Sequence, residues 1–114
     1  MPFLSEQETK TYQTSPFIDK FSVESFYDLE TKTDTETISR AREMDLEHDG
    51  ENFTGTYDSY KFNLYDTLEE ALNNHHKRID CVEFENLTED EMKIVNAFVK
   101  EKMNDKTYLA RYGL

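Results

Sequence analysis

The chain has one cysteine, three glycines, two prolines and no tryptophan among its 114 residues. Each shortage removes a class of function. A single cysteine, Cys81, makes an internal disulfide impossible and points to a reducing compartment. Phosphate-cradling loops need several closely spaced glycines. Gly50, Gly55 and Gly113 never fall two within four residues, which excludes the P-loop and the dinucleotide fingerprint. There is no Gly-x-Ser-x-Gly elbow and no His-Glu-x-x-His pair. No apolar run approaches the ~18–20 residues of a membrane span. The start, Met1-Pro2-Phe3-Leu4-Ser5-Glu6, lacks the basic and apolar regions of a secretory signal. The expectation is a cytoplasmic protein, or one in the host cytoplasm if phage-encoded. The Asn-x-Thr triplets at Asn52 and Asn86 are then chance sequons.

Positive charge is also scarce where it would matter most. Between Glu43 and Glu91, 15 acidic side chains face three basic ones (Lys61, Lys77 and Arg78), a balance of −12. Residues 1–42 carry 8 acids and 5 bases and residues 92–114 carry 2 acids and 5 bases, so the flanks cancel and the net −12 belongs to the middle. Such a surface repels nucleic-acid backbones and anionic lipid, which removes both as direct ligands. It attracts basic surfaces, and the commonest of these in a cell belong to proteins that handle nucleic acid.

What is present suffices for one small domain. Leu, Ile, Val and Phe number 25, about 22% of the chain, just above the ~20% below which acidic chains tend to stay disordered. Fifteen aromatics (7 Tyr, 8 Phe) favour folding, because each buries on the order of 150–250 Å². Residues 1–14 read as a loosely ordered arm and residues 15–114 as a single α+β domain. A short helix is expected at 16–21 and a strand at 24–32. Over 34–49, Ile38, Ala41 and Met44 suit one helical face stopped by Gly50. A period-two reading competes with it. Glu43, Asp45, Glu47, Asp49 and Glu51 alternate with Met44, Leu46 and His48, and as a strand this would put all five carboxylates on one face.

The second half is more legible. Phe53–Tyr57 and Tyr60–Tyr65 predict a hairpin about Asp58-Ser59, with Tyr60, Phe62 and Leu64 on one face. Asp66 with Glu69 predicts a capped helix buried through Leu68, Ala71 and Leu72. Arg78–Glu85 reads as a strand. Thr88 and Glu91 form a capping box ahead of the stripe Met92, Val95, Phe98, Val99 and Met103, and Asp105 caps a last short helix. The fold class is α+β: a mostly antiparallel sheet of three to four strands against two to four helices. The core expected is Phe62, Leu64, Leu68, Leu72, Phe84, Val95, Phe98 and Val99.

Chemistry-bearing clusters are weak. Cys81 beside His75 or His76 suggests a thiolate–imidazole pair, but the simpler reading is a small core cysteine in a strand. His75 and His76 suit a helix C-terminus as cations, and adjacent helical residues point about 100° apart, which disfavours joint metal ligation. Asp45-x-Glu47-x-Asp49-Gly50 resembles the start of a calcium loop, but the twelfth position is Thr56 rather than glutamate. No catalytic residue, cofactor or metal is expected.

The acidic segment remains. Its plain reading is a solubilising coat around a thin core, and the contact surface of a protein-interaction module would then be the aromatic segment Phe17, Phe21, Phe26 and Tyr27 or the C-terminal tyrosines. The functional reading is a docking face for a basic nucleic-acid-binding enzyme or complex, made by Glu43, Asp45, Glu47, Asp49, Glu51, Asp58, Glu69, Glu70, Glu83 and Glu85. The flanking acids Glu6, Glu8, Glu24 and Asp28 are expected to matter less. Small acidic proteins of phages and mobile elements that inhibit restriction, CRISPR or repair enzymes share this composition. The expectation is a non-enzymatic, DNA-mimic type of inhibitor with an anti-defence role.

Overall fold

The structure, a computed structural model, describes residues 14–55 and 58–114; most of the expected N-terminal arm lies outside them. Strand β1 (Phe17–Asp28) and strand β2 (Thr33–Arg42) form a long antiparallel hairpin. Its turn is built by Asp28, whose carboxylate accepts the backbone N–H groups of Glu30 (2.9 Å) and Thr31 (3.3 Å), the local bonding that makes aspartate a turn former. Lys32 completes the reversal at φ 57°. The helix expected at 16–21 is therefore strand, and the strand expected to reach residue 32 ends at Asp28.

Residues 34–42 are also strand, not helix. Thr33, Thr35, Thr37 and Ile38 are β-branched and lose χ1 freedom in a helix, while β1 offers them a complete ladder of partners. The acidic alternation that follows is no strand either. Glu43–His48 forms a 3-10 segment, and the Asp45 carboxylate turns back to accept the Arg42 N–H at 2.7 Å.

Strand β3 (Glu51–Thr54) and strand β4 (Asp58–Tyr65) make the expected second hairpin. Asp58 and Ser59 belong to β4 rather than to the turn, and Gly55 N–H donates to Asp58 O at 2.7 Å. Helix α1 (Leu68–Leu72) is capped by Thr67, whose hydroxyl accepts the Glu70 N–H at 3.1 Å. Asp66 is instead paired with Lys20. The strand expected over 78–85 is split into a 3-10 turn, Ile79–Cys81, and a short strand β5 (Glu83–Glu85). Helix α2 (Glu89–Met103) starts on the predicted capping box: Thr88 Oγ1 accepts from Glu91 N–H (3.2 Å), and Glu91 Oε1 accepts from Thr88 N–H (2.8 Å). Helix α3 (Lys106–Ala110) is capped by Asp105 as the sequence suggests.

The five strands run in the order β3-β4-β1-β2-β5. β5 pairs with β2 in parallel, so this α+β domain has a five-stranded mixed sheet, one strand more than expected and not wholly antiparallel. Among the described residues no helix is long and apolar enough to cross a membrane.

Helices α1–α3 pack on one face of the sheet. The core there joins Phe21, Val23 and Ile38 of the strands to Leu68, Ala71 and Leu72 of α1, Val95 of α2 and Tyr108 of α3. Phe84, Phe98 and Val99 pack at its margin, half-buried. Phe62 and Leu64 do not belong to this core. Their register partners are Glu24 and Ser22, whereas Val23 pairs with Asn63. Because side chains alternate across a strand, Tyr60, Phe62 and Leu64 lie on the far face. Tyr60 and Phe62 are still buried, with His48 of the 3-10 segment edge-on to Phe62 at 6.1 Å between ring centres.

Candidate functional site: a sheet with segregated charge

The strand register sorts the acidic residues. Residues directly paired across strands share a face. The far face therefore collects Glu24 and Asp28 of β1, Glu51 of β3, Asp58 of β4, and Glu83 and Glu85 of β5. Within the regular register this face carries six carboxylates and neither a lysine nor an arginine. Its remaining positions are hydroxyls (Ser22, Thr33, Thr35, Thr37, Ser39) and apolar or aromatic groups (Phe26, Phe53, Tyr60, Phe62, Leu64). The cations Arg40 and Lys61 point to the helix side, as do Asp34 and Glu36. Five strands spaced ~4.8 Å apart make the far face about 19 Å wide.

The ten residues expected to form one docking face thus divide. Glu51, Asp58, Glu83 and Glu85 share the far face. Glu43, Glu47 and Asp49 are exposed on or just after the 3-10 segment that lies against Phe62. Asp45 is corrected: it is buried at 4% exposure, and burial raises its carboxyl above the ordinary value despite the Arg42 N–H and nearby His48. It is a structural group rather than a contact. Glu69 and Glu70 are exposed on α1, on the opposite side of the sheet. Asp49 also holds the strand edge, accepting the Leu64 N–H at 2.9 Å, so the calcium-like donors Asp45 and Asp49 are both turned to backbone N–H groups.

Glu24 and Asp28 lie outside the acidic middle of the sequence, where the charge balance predicts a smaller part. No local signal marks them, because their membership depends only on register. Glu24 accepts a hydrogen bond from the Tyr60 hydroxyl at 3.0 Å. Burial first, then the charge of Glu24, holds that phenol far above the usual tyrosine range.

The helix side holds a second arrangement. Its apolar half lies under the helices. The polar half (Ser25, Tyr27, Asp34, Glu36, Ser59 and Lys61) runs beyond the end of α1, which at five residues is only about 7.5 Å long. An open cavity of about 310 Å³ remains there, lined on its helix side by His76 and Lys77. Glu36 is fully buried. Its carboxylate accepts from Ser25 Oγ (2.9 Å), His76 N–H (2.8 Å), His76 Nδ1 (3.0 Å) and Lys77 N–H (3.0 Å).

The two histidines diverge. His75 Nδ1 donates to the Leu72 carbonyl, and its Nε2 accepts from the Tyr108 hydroxyl (2.7 Å), which itself accepts the Ile79 N–H (2.9 Å). Cys81 is exposed in the 3-10 turn rather than buried in a strand, with its sulfur near Arg78 and Asp80. No family model, no curated protein and no solved structure matches this chain.

Proposed function

We propose that this protein is a small acidic, non-enzymatic binder that occupies and inhibits a basic nucleic-acid-handling protein, a DNA-mimic type of inhibitor suited to an anti-defence role. The observation that carries the reading is the segregation of charge across the sheet. Duplex DNA presents one negative charge per ~1.7 Å of axis, about 11 over 19 Å. The six far-face carboxylates, with Glu43, Glu47 and Asp49 beside them, supply a comparable density on a hydrogen-bonded scaffold. The absence of a competing cation among the far-face strand positions keeps the potential of one sign, which speeds encounter with a basic cleft.

The test is charge reversal with matched controls. Glu51, Glu83 and Glu85 changed together to Lys should abolish capture of the basic partner from host lysate and competition with duplex DNA. Glu69, Glu70 and Glu101, exposed on the helix side, should change little when reversed in the same way. Binding should fall steeply with salt, because screening removes the encounter advantage. Equal losses from both sets would reduce the acidic surface to a solubilising coat, and the protein to an interaction module that docks through other residues.

A further inference from the structure

The cavity on the helix side is distinct from the acidic face, although Phe26 also borders it, and its walls carry charges of both signs. Lys61 and Asp34 stand two strands and two residues apart, a Cα separation of about 12 Å. Ser25 and Tyr27 of β1 lie between them on the same face. Neither the Lys61 ammonium nor the Asp34 carboxylate has a hydrogen bond or ion pair among the described residues. The nearby Lys77 ammonium is anchored to the Asp34 carbonyl at 2.6 Å. Glu36 is not open to direct contact with a ligand, because it is fully buried and its carboxylate oxygens already accept from Ser25 Oγ and the His76 and Lys77 N–H groups. Its negative charge stands behind the wall, with Lys77 nearby as a second cation. Glu36 also fixes the His76 ring: Nδ1 faces the carboxylate, so Nε2 is the nitrogen left for a ligand.

The geometry points to a binding site for a small zwitterion, a free amino acid with one carboxylate and one ammonium group. Its carboxylate would lie toward Lys61 and its ammonium toward Asp34. Ser25, Tyr27 and Ser59 line the floor, and His76 stands over it. The volume, about 310 Å³, is at the small end of ordinary ligand sites. The net charge of −12 selects for the same class. A simple anion is repelled by the whole-molecule field, and a simple cation leaves Lys61 facing it, whereas a zwitterion is neutral at long range and complementary at short range.

The experiment is a ¹H–¹⁵N NMR titration of the full chain with the free amino acids at millimolar concentration. Acetate and methylammonium serve as single-charge probes. At least one amino acid should shift the amides of Ser25, Tyr27, Ser59, His76 and Lys77 together, and bind at least about tenfold more tightly than either single-charge probe. Lys61→Met and Asp34→Asn should each weaken it by about tenfold or more. Both residues are exposed, so the melting temperature should hold and separate lost binding from lost folding. Absence of cavity shifts with every amino acid, equal binding of acetate alone, or unchanged affinity in Lys61→Met would overturn the assignment.

Discussion

His76 and Glu36, 40 positions apart in sequence, are joined by backbone and ring hydrogen bonds of 2.8 and 3.0 Å to one fully buried carboxylate. This contact fastens the loop after α1 to strand β2. Replacing Glu36 by Ala would strand the Ser25 hydroxyl and the N–H groups of His76 and Lys77 without an acceptor. The expected loss is about 1–3 kcal/mol, the cost of leaving part-buried donors without an acceptor. Urea unfolding at neutral pH measures it. A loss below about 1 kcal/mol would mean that the loop does not depend on this carboxylate.

The split between the two sheet faces makes a paired prediction. Leu72 is 1% exposed at the centre of the helix-side core, so Leu72→Ala should cost about 2–5 kcal/mol. Leu64 is half-buried on the far face, and Leu64→Ala should cost about 1 kcal/mol or less. Similar losses at both sites would contradict the register that separates them.

Tyr108 links α3 to the Ile79 turn and to His75. Tyr108→Phe removes the acceptor for the Ile79 N–H, an unsatisfied buried donor worth about 1–3 kcal/mol. Burial pushes the Tyr108 hydroxyl from 10.0 up to about 12 in the folded protein. A raised acid favours folding while it stays protonated, so its contribution is present below the unfolded value and is lost as pH rises from 10.0 to about 12. Denaturant melts across that alkaline window should fall less steeply for Tyr108→Phe than for the parent protein.

Asp45 gives the acid counterpart. Burial raises its carboxyl above 3.8, so the folded chain holds this proton more tightly than the unfolded one. Stability from this group therefore falls as pH rises from 3.8 through the raised folded value, opposite in sign to a salt-bridged carboxylate. Asp45→Asn keeps an oxygen for the Arg42 N–H and removes the buried charge. Its melting temperature should exceed that of the parent at neutral pH, and the difference should shrink toward acid pH. A constant difference across the range would separate the effect from ionisation.

The sequence by itself determined the elements whose causes lie within a few residues. The Thr88–Glu91 box, the α2 stripe and the Asp105 cap form as their local patterns predict, and the β3–β4 hairpin forms with its turn shifted ahead of Asp58. Even there the detail slipped where two neighbours competed, as when Thr67 took the cap from Asp66. Only the tertiary structure decided the identity of residues 34–42, the addition of β5 in parallel to β2, and the face each carboxylate occupies. The spacing of Ile38, Ala41 and Met44 fits a helical face, and it is the ladder offered by β1 that overrides it and selects the strand. Facing follows from register, since a slip of one residue sends every side chain to the other side. That is why Glu24 and Asp28 join Glu83 and Glu85 on one face, while Glu36, sequence-equivalent to any surface glutamate, is the carboxylate the fold buries.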